Sequence, residues 1–155
     1  MLKMRGVKEN MANIEYQNLI FFDGVCELCN SSVDFLLKRD RKNLFLFASL
    51  QSEEAKEILL KNNYPIEDIE GLSNIVYLRK GRVEIKSKAV LFILWDLAGW
   101  YRILSCGFII PTFFRDWAYD IIAKNRYRWF GKKETCRIPT PNEKEKFLKF
   151  RPQKN

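Results

Sequence analysis

An apolar run, Leu19-Ile20-Phe21-Phe22, stops at Asp23-Gly24, and a pair of cysteines three apart, Cys26 and Cys29, then opens a stretch of helical periodicity. A short continuous apolar run closed by a turn signal reads as a buried strand. Beyond it, Cys29, Val33, Leu36 and Leu37 recur at helical spacing, which predicts a helix over 26–39. Lys38, Arg39 and Arg41 suit the negative pole at its end. Leu44-Phe45-Leu46-Phe47-Ala48 is a second buried strand. A helix between two strands implies that they lie parallel, with a right-handed crossover. The C-x-x-C pair thus falls where a strand becomes a helix within a βαβ unit, which restricts both the fold and the chemistry.

The rest of the chain completes a pattern. Ser52 begins a second helix, with Glu53 and Glu54 in its first turn and Ala55, Ile58 and Leu59 on one face, and Asn62-Asn63-Tyr64-Pro65 stops it. Ile75-Val76-Tyr77-Leu78 is a third strand, Lys80-Gly81 a hairpin turn, and Arg82-Val83-Glu84-Ile85 the returning strand. Ser87 is expected to cap a helix that runs through Leu97 to Gly99. The order β-α-β-α-β-β-α is that of an α/β, thioredoxin-like core. Additional C-terminal helices follow: Trp100 to Ile110, stopped by Pro111, and then a stripe of Phe114, Trp117, Ala118, Ile121 and Ile122. These are expected to form a buried helical cap on the sheet. Asp96, Gly99 and Arg102 interrupt the apolar stretch 89–114, leaving no run long enough for a bilayer. The expected organisation is a flexible leader over 1–17, one domain over 18–139 and a weakly ordered basic tail over 140–155.

Composition narrows the function. The chain has no histidine, which removes Ser-His and Cys-His catalysis and every metal site that needs imidazole. Its four cysteines are too few for a disulfide scaffold in 155 residues, and two of them stand three apart. Residues 1–18 are polar and carry no apolar signal region, so a cytoplasmic, reducing location is expected. The net charge of +8 comes entirely from the last stretch. After Ala123 there are 11 basic residues against Glu134, Glu143 and Glu145. A surface of that kind suits solvent, nucleic acid or an anionic membrane.

First-turn N–H groups lack intrahelical partners, and the helix dipole adds positive charge, so a thiolate on Cys26 is stabilised and becomes the nucleophile. Cys29, one turn on and on the apolar face, is expected to be more buried and to resolve the mixed disulfide. Asp23 either raises the thiol pKa and accepts a proton during resolution, or serves only as a turn residue with Gly24. Gly24, Val25, Glu27 and Leu28 frame the cysteines, and Ser73 and Asn74 precede the third strand. These are the positions expected to meet a substrate. Cys106 reads as a core residue. Cys136 follows a polar loop and is a possible additional thiol at the site. A four-cysteine zinc site is disfavoured by the gaps between Cys29, Cys106 and Cys136, so no metal and no cofactor are expected.

With these residues in place, the sequence resembles the DCC family of thiol–disulfide oxidoreductases, named for an Asp and two Cys in D-G-x-C-x-x-C. Here that motif is Asp23-Gly24-Val25-Cys26-Glu27-Leu28-Cys29. Ser87-Lys88-Ala89 is similar to the family's S-x-A helix start, Pro111 and Asn125-Arg126-Tyr127 to its later helix, and Gly131 to Pro139 to its closing G-x4-C-R-x-P. The resemblance covers residues 18–139 and implies a thioredoxin-like fold and redox function on protein or small-molecule thiols and disulfides. Thioredoxins proper carry a proline just before the third strand and an aromatic before the first cysteine. Here Leu72-Ser73-Asn74 and Val25 stand in those places. The alternative is a redox-inert thioredoxin-like binding module whose basic C-terminal surface takes nucleic acid or anionic membrane.

Overall fold

A computed structural model describes residues 18–71 and 74–148. Four strands form one mixed sheet in the order β2-β1-β3-β4: β1 (Asn18–Phe22), β2 (Leu46–Ser49), β3 (Val76–Arg79) and β4 (Arg82–Ile85). β1 pairs parallel with β2, in the register Leu19 to Leu46, and antiparallel with β3, in the register Leu19 to Leu78. The parallel pair is joined by α1 (Glu27–Arg39), as a parallel connection requires. The fold is α/β and thioredoxin-like, with six α-helices around the sheet among the described residues.

Both faces of the sheet are covered, which is why β1 is apolar without alternation. Leu19 and Phe21 point to one face and pack with Leu50, Ala55, Leu59 and Ile69, from β2's end, α2 (Glu53–Lys61) and α3 (Ile66–Glu70). Ile20 and Phe22 point to the other and pack with Val33, Leu36, Ala89 and Ile93, from α1 and α4 (Lys86–Leu97). Ser52 caps α2, its hydroxyl accepting from the Ala55 N–H at 3.2 Å. Beyond α4 come the single-turn α5 (Tyr101–Leu104), a 3-10 turn (Ser105–Ile109) and the long α6 (Thr112–Phe130).

Several boundaries differ from the sequence expectation, each for a local reason. β2 starts at Leu46 rather than Leu44, because the Leu44 and Phe45 N–H groups donate to the Asp40 carboxylate at 2.9 and 3.0 Å. β3 starts at Val76, because the Ile75 N–H donates to the Tyr119 hydroxyl at 2.8 Å. Ser87 does not cap α4. That helix follows β4 without a linker, Ile85 precedes its first turn, and the Ser87 hydroxyl bonds the Asp116 carboxylate on α6. Residues 100–110 are two short turns rather than one helix, and with the start of α6 they are largely exposed instead of forming a buried cap. The segment after Pro139, expected to be weakly ordered, returns to the sheet as far as Leu148. Phe147 packs on Phe22 and Phe47, and the Leu148 N–H donates to the Phe47 carbonyl at 2.9 Å, covering the outer edge of β2. The leader, Leu72, Ser73 and the end of the tail lie outside the described residues.

Candidate functional site

β1 delivers the chain into Asp23-Gly24-Val25, and Cys26 stands immediately before α1 in extended conformation. The Cys29 N–H, orphaned in the first turn, donates to the Cys26 Sγ at 3.3 Å. The Cys26 thiol is lowered to about 7. The largest cause is the hydrogen bond from the Cys29 thiol, followed by burial, which opposes it, the Cys29 N–H and the positive charge of Arg126. The Asp23 carboxylate works weakly in the opposite direction. Cys29 is pushed up, first because its thiol donates to Cys26 and then by burial. One sulfur is therefore readily ionised while the other holds its proton.

Asp23 belongs to a buried polar network and is more than a turn residue. Its carboxylate accepts from the Gln51 Nε2 at 2.7 Å, the Val25 N–H at 3.1 Å, the Tyr127 hydroxyl and the Arg126 Nη2 at 3.2 Å. Asp23 and Arg126 are both buried, so each removes the other's unpaired charge from a low-dielectric setting. The Asn30 Nδ2 donates to the Gly24 carbonyl at 2.9 Å, and the Gly24 N–H donates to the Gln51 Oε1 at 3.0 Å, which fixes the turn ahead of the cysteines.

In accessible surface of the whole residue, the two cysteines reverse the expectation. Cys26 is 0 % exposed, whereas Cys29 is half-buried. The segment after α6 explains the first. It runs antiparallel across residues 24–27 as a strap: the Lys133 N–H donates to the Val25 carbonyl at 2.7 Å, the Arg137 N–H to the Gly24 carbonyl at 3.0 Å, and the Glu27 N–H to the Gly131 carbonyl at 3.3 Å. Cys26 and Lys132 form a β-bridge, and the Glu27 carboxylate pairs with the Lys133 ammonium at 3.3 Å. Cys29 instead borders a cavity of about 290 Å³, walled by Phe22, Leu28, Val33, Ile75 and Ile122, with Ser32, Asn74, Tyr119, Asp23 and Arg126 as its polar members.

The strap also brings Cys136 to the site. Its Sγ lies 3.2 Å from the Ser49 Oγ and packs so closely on Gly24 that a Cβ there would meet it at 2.1 Å. Only glycine fits. Cys106, expected in the core, is exposed on the 3-10 turn. Ser73 lies outside the described residues. Among the described residues, no three Cys, Asp or Glu side chains gather as metal ligands. None of the helices among the described residues is long and apolar enough to cross a membrane.

Sequence reading missed Gln51, Asn30 and the roles of Tyr119, Arg126 and Tyr127. A signal for Arg126 existed. At helical spacing it shares a face with Tyr119 and Ala123, an inward position where a cation requires a buried partner. Gln51 left no signal of this kind.

Comparison with known proteins gives the family. The model of the DCC1-like thiol–disulfide oxidoreductases matches residues 20–132. The uncharacterized protein YuxK of Bacillus subtilis (strain 168) is 42% identical over 130 residues, covering 84% of this chain and 93% of that protein. A chloroplastic DCC family protein of Arabidopsis thaliana is 36% identical over 135 residues, covering 85% of this chain and 77% of that one. No solved structure matches the chain.

Proposed function

The chain belongs to the DCC1-like thiol–disulfide oxidoreductase family, and from that premise we propose that it exchanges dithiols and disulfides with Cys26 as nucleophile and Cys29 as resolving thiol. The observation that carries the reading is the placement of the pair: Cys26 caps α1 and its Sγ accepts from the Cys29 N–H at 3.3 Å, an arrangement that lowers Cys26 to about 7 while Cys29 is pushed up. Near neutral pH Cys26 is then partly thiolate while Cys29 keeps its proton, the state that begins exchange.

In the reducing direction the Cys26 thiolate attacks one sulfur of a substrate disulfide. That S–S bond breaks, a Cys26–substrate disulfide forms, and the departing thiolate takes up a proton. Cys29 then loses its proton and attacks the Cys26 Sγ, releasing the second substrate thiol and leaving a Cys26–Cys29 disulfide. Two electrons pass from the dithiol to the substrate, and the reverse sequence oxidises a dithiol. In this reading the Cys29 proton passes to Asp23, whose carboxylate Arg126 holds in position. The reading includes a reducing compartment, where the pair rests reduced, with no bond between Cys26 and Cys29.

Access to Cys26 requires the strap to move aside. The carbonyls of Gly24 and Val25 and the N–H of Glu27, which the strap engages, are then free for an extended substrate backbone. This supplies a docking surface where the usual proline ahead of the third strand is missing. The apolar cavity beside Cys29 favours disulfides flanked by apolar groups.

Reduction of a small disulfide and of a protein disulfide by the purified chain tests the reading. Cys26→Ser is expected to abolish turnover, and Cys29→Ser to stall as a covalent mixed disulfide on Cys26. Wild-type turnover by Cys29→Ser contradicts the two-cysteine mechanism.

A further inference from the structure

The chain's four tryptophans, Trp95, Trp100, Trp117 and Trp129, are all exposed, from 45% to 66%. Ile103, Phe108, Ile109, Ile110, Phe113 and Phe114, from the same stretch of chain as Trp100 and Trp117, are exposed as well, Ile109 at 84%. Residues 97–114 hold a single charged side chain, Arg102. An apolar surface this extensive is not ordinary solvent-facing protein.

α6 shows how it is organised. At 100° per residue, Phe114, Trp117, Lys124, Arg128 and Trp129 fall on one side, while Asp116, Tyr119, Asp120, Ala123 and Arg126 fall on the other. The structure agrees: Arg126 is buried against Asp23, Asp116 bonds Ser87, and Asp120 pairs with Lys86 at 3.0 Å. Asp116 and Asp120 are the only acids between residues 97 and 130, and both are turned toward α4. The outer face therefore presents aromatic and aliphatic side chains together with the exposed cations Arg102, Lys124 and Arg128, and offers no carboxylate.

We propose that this face, built from α5, the 3-10 turn and the outer side of α6, seats the protein on an anionic lipid bilayer. Charge decides between occupants. A second copy of the chain would bring Arg102, Lys124 and Arg128 against the same cations with no acid to pair them. A bilayer surface supplies both anionic headgroups for the cations and an acyl boundary for the apolar side chains. Tryptophan and arginine suit that boundary, since each joins an apolar or stacking body to a polar tip. Arg102 already lies over the Trp95 ring at 5.1 Å. Pro111 and the two short turns keep the segment from forming a spanning helix, so the protein lies on the bilayer. α6, with 19 residues and a length of about 28 Å, rests along the surface.

The test uses the full chain, reduced, with vesicles of phosphatidylcholine alone or mixed with phosphatidylglycerol, some carrying brominated acyl chains. Co-sedimentation with the anionic vesicles is expected, weakening as salt is added, with quenching of tryptophan emission by the brominated chains. The double variant Phe114→Ser/Trp117→Ser should retain its far-ultraviolet circular dichroism, since both side chains are exposed, and should partition at least about tenfold less. Lys124→Glu/Arg128→Glu should lose the preference for anionic vesicles. No binding at low ionic strength overturns the proposal. So does binding that the double variant leaves unchanged. A dimer detected by light scattering and dissolved by that variant also overturns it, assigning the face to a second copy.

Discussion

The Cys29 backbone N–H donates to the Cys26 Sγ at 3.3 Å, so the second cysteine helps ionise the first before any substrate arrives. The thiolate absorbance of the reduced protein, followed against pH, should show one group titrating near 7. In Cys29→Ala the side-chain donor is gone and that group should move up toward the ordinary thiol value of about 8.5. A titration unchanged in Cys29→Ala would separate the two thiols and remove the basis of the asymmetry.

The same shifts make stability depend on pH, with opposite signs. Cys26 is depressed in the folded chain, so its contribution is fully present above the unfolded value of about 8.5 and is lost as pH falls through about 7. Cys29 is raised, so its contribution is present below that unfolded value and fades as pH climbs beyond it. Urea unfolding of the reduced protein should show stability rising from pH 7 toward 8.5. Cys26→Ala should lack that rise, and its presence there would assign the effect to another group.

Arg126 is the counter-charge of a buried carboxylate. Arg126→Ala leaves Asp23 with neutral donors only from Gln51, Val25 and Tyr127, and should cost about 3 kcal/mol in urea unfolding. It should also raise the Cys26 pKa, because the Arg126 charge helps lower it. Adding Asp23→Asn should recover part of the stability. No recovery in the double variant would mean that Arg126 acts through packing instead of charge.

Gly24 and Cys136 form a second testable pair. A Cβ at position 24 would sit 2.1 Å from the Cys136 Sγ and 3.0 Å from the Ser49 Oγ, so Gly24→Ala should destabilise by roughly 1–3 kcal/mol. Combining it with Cys136→Ala removes the closer clash and should restore most of the loss. If Cys136→Ala restores nothing, the strap does not pack on the turn as described.

Much of the architecture was legible in the sequence. The strand–turn–helix around Asp23 to Cys29, the Ser52 cap and the Lys80-Gly81 hairpin each declare themselves within a few residues, through period, capping chemistry and turn chemistry. What was not legible depends on segments distant in the chain. The burial of Cys26 comes from Lys132 and Lys133, more than a hundred residues away, and the late starts of β2 and β3 come from Asp40 and the Tyr119 hydroxyl. The stripe of Phe114, Trp117 and Ile122 shows where periodicity misleads. It reports an apolar face correctly but cannot tell whether the fold supplies a layer to cover it.

In the proposed mechanism the strap limits access to Cys26. Lys133→Pro removes the N–H that donates to the Val25 carbonyl at 2.7 Å and should loosen the strap without touching either cysteine. Alkylation of Cys26 should accelerate by up to about tenfold, the effect of one lost hydrogen bond. An unchanged rate would mean that the strap does not limit access.

The most direct measurement is the redox state of the Cys26–Cys29 pair across a series of glutathione and dithiothreitol potentials, read by thiol alkylation and mass spectrometry. The account predicts one reversible two-electron transition, with the disulfide mapped to Cys26 and Cys29, between roughly −270 and −120 mV. If the two thiols remain separate under oxidising buffer, or Cys26 joins another cysteine instead, the proposed exchange mechanism is contradicted.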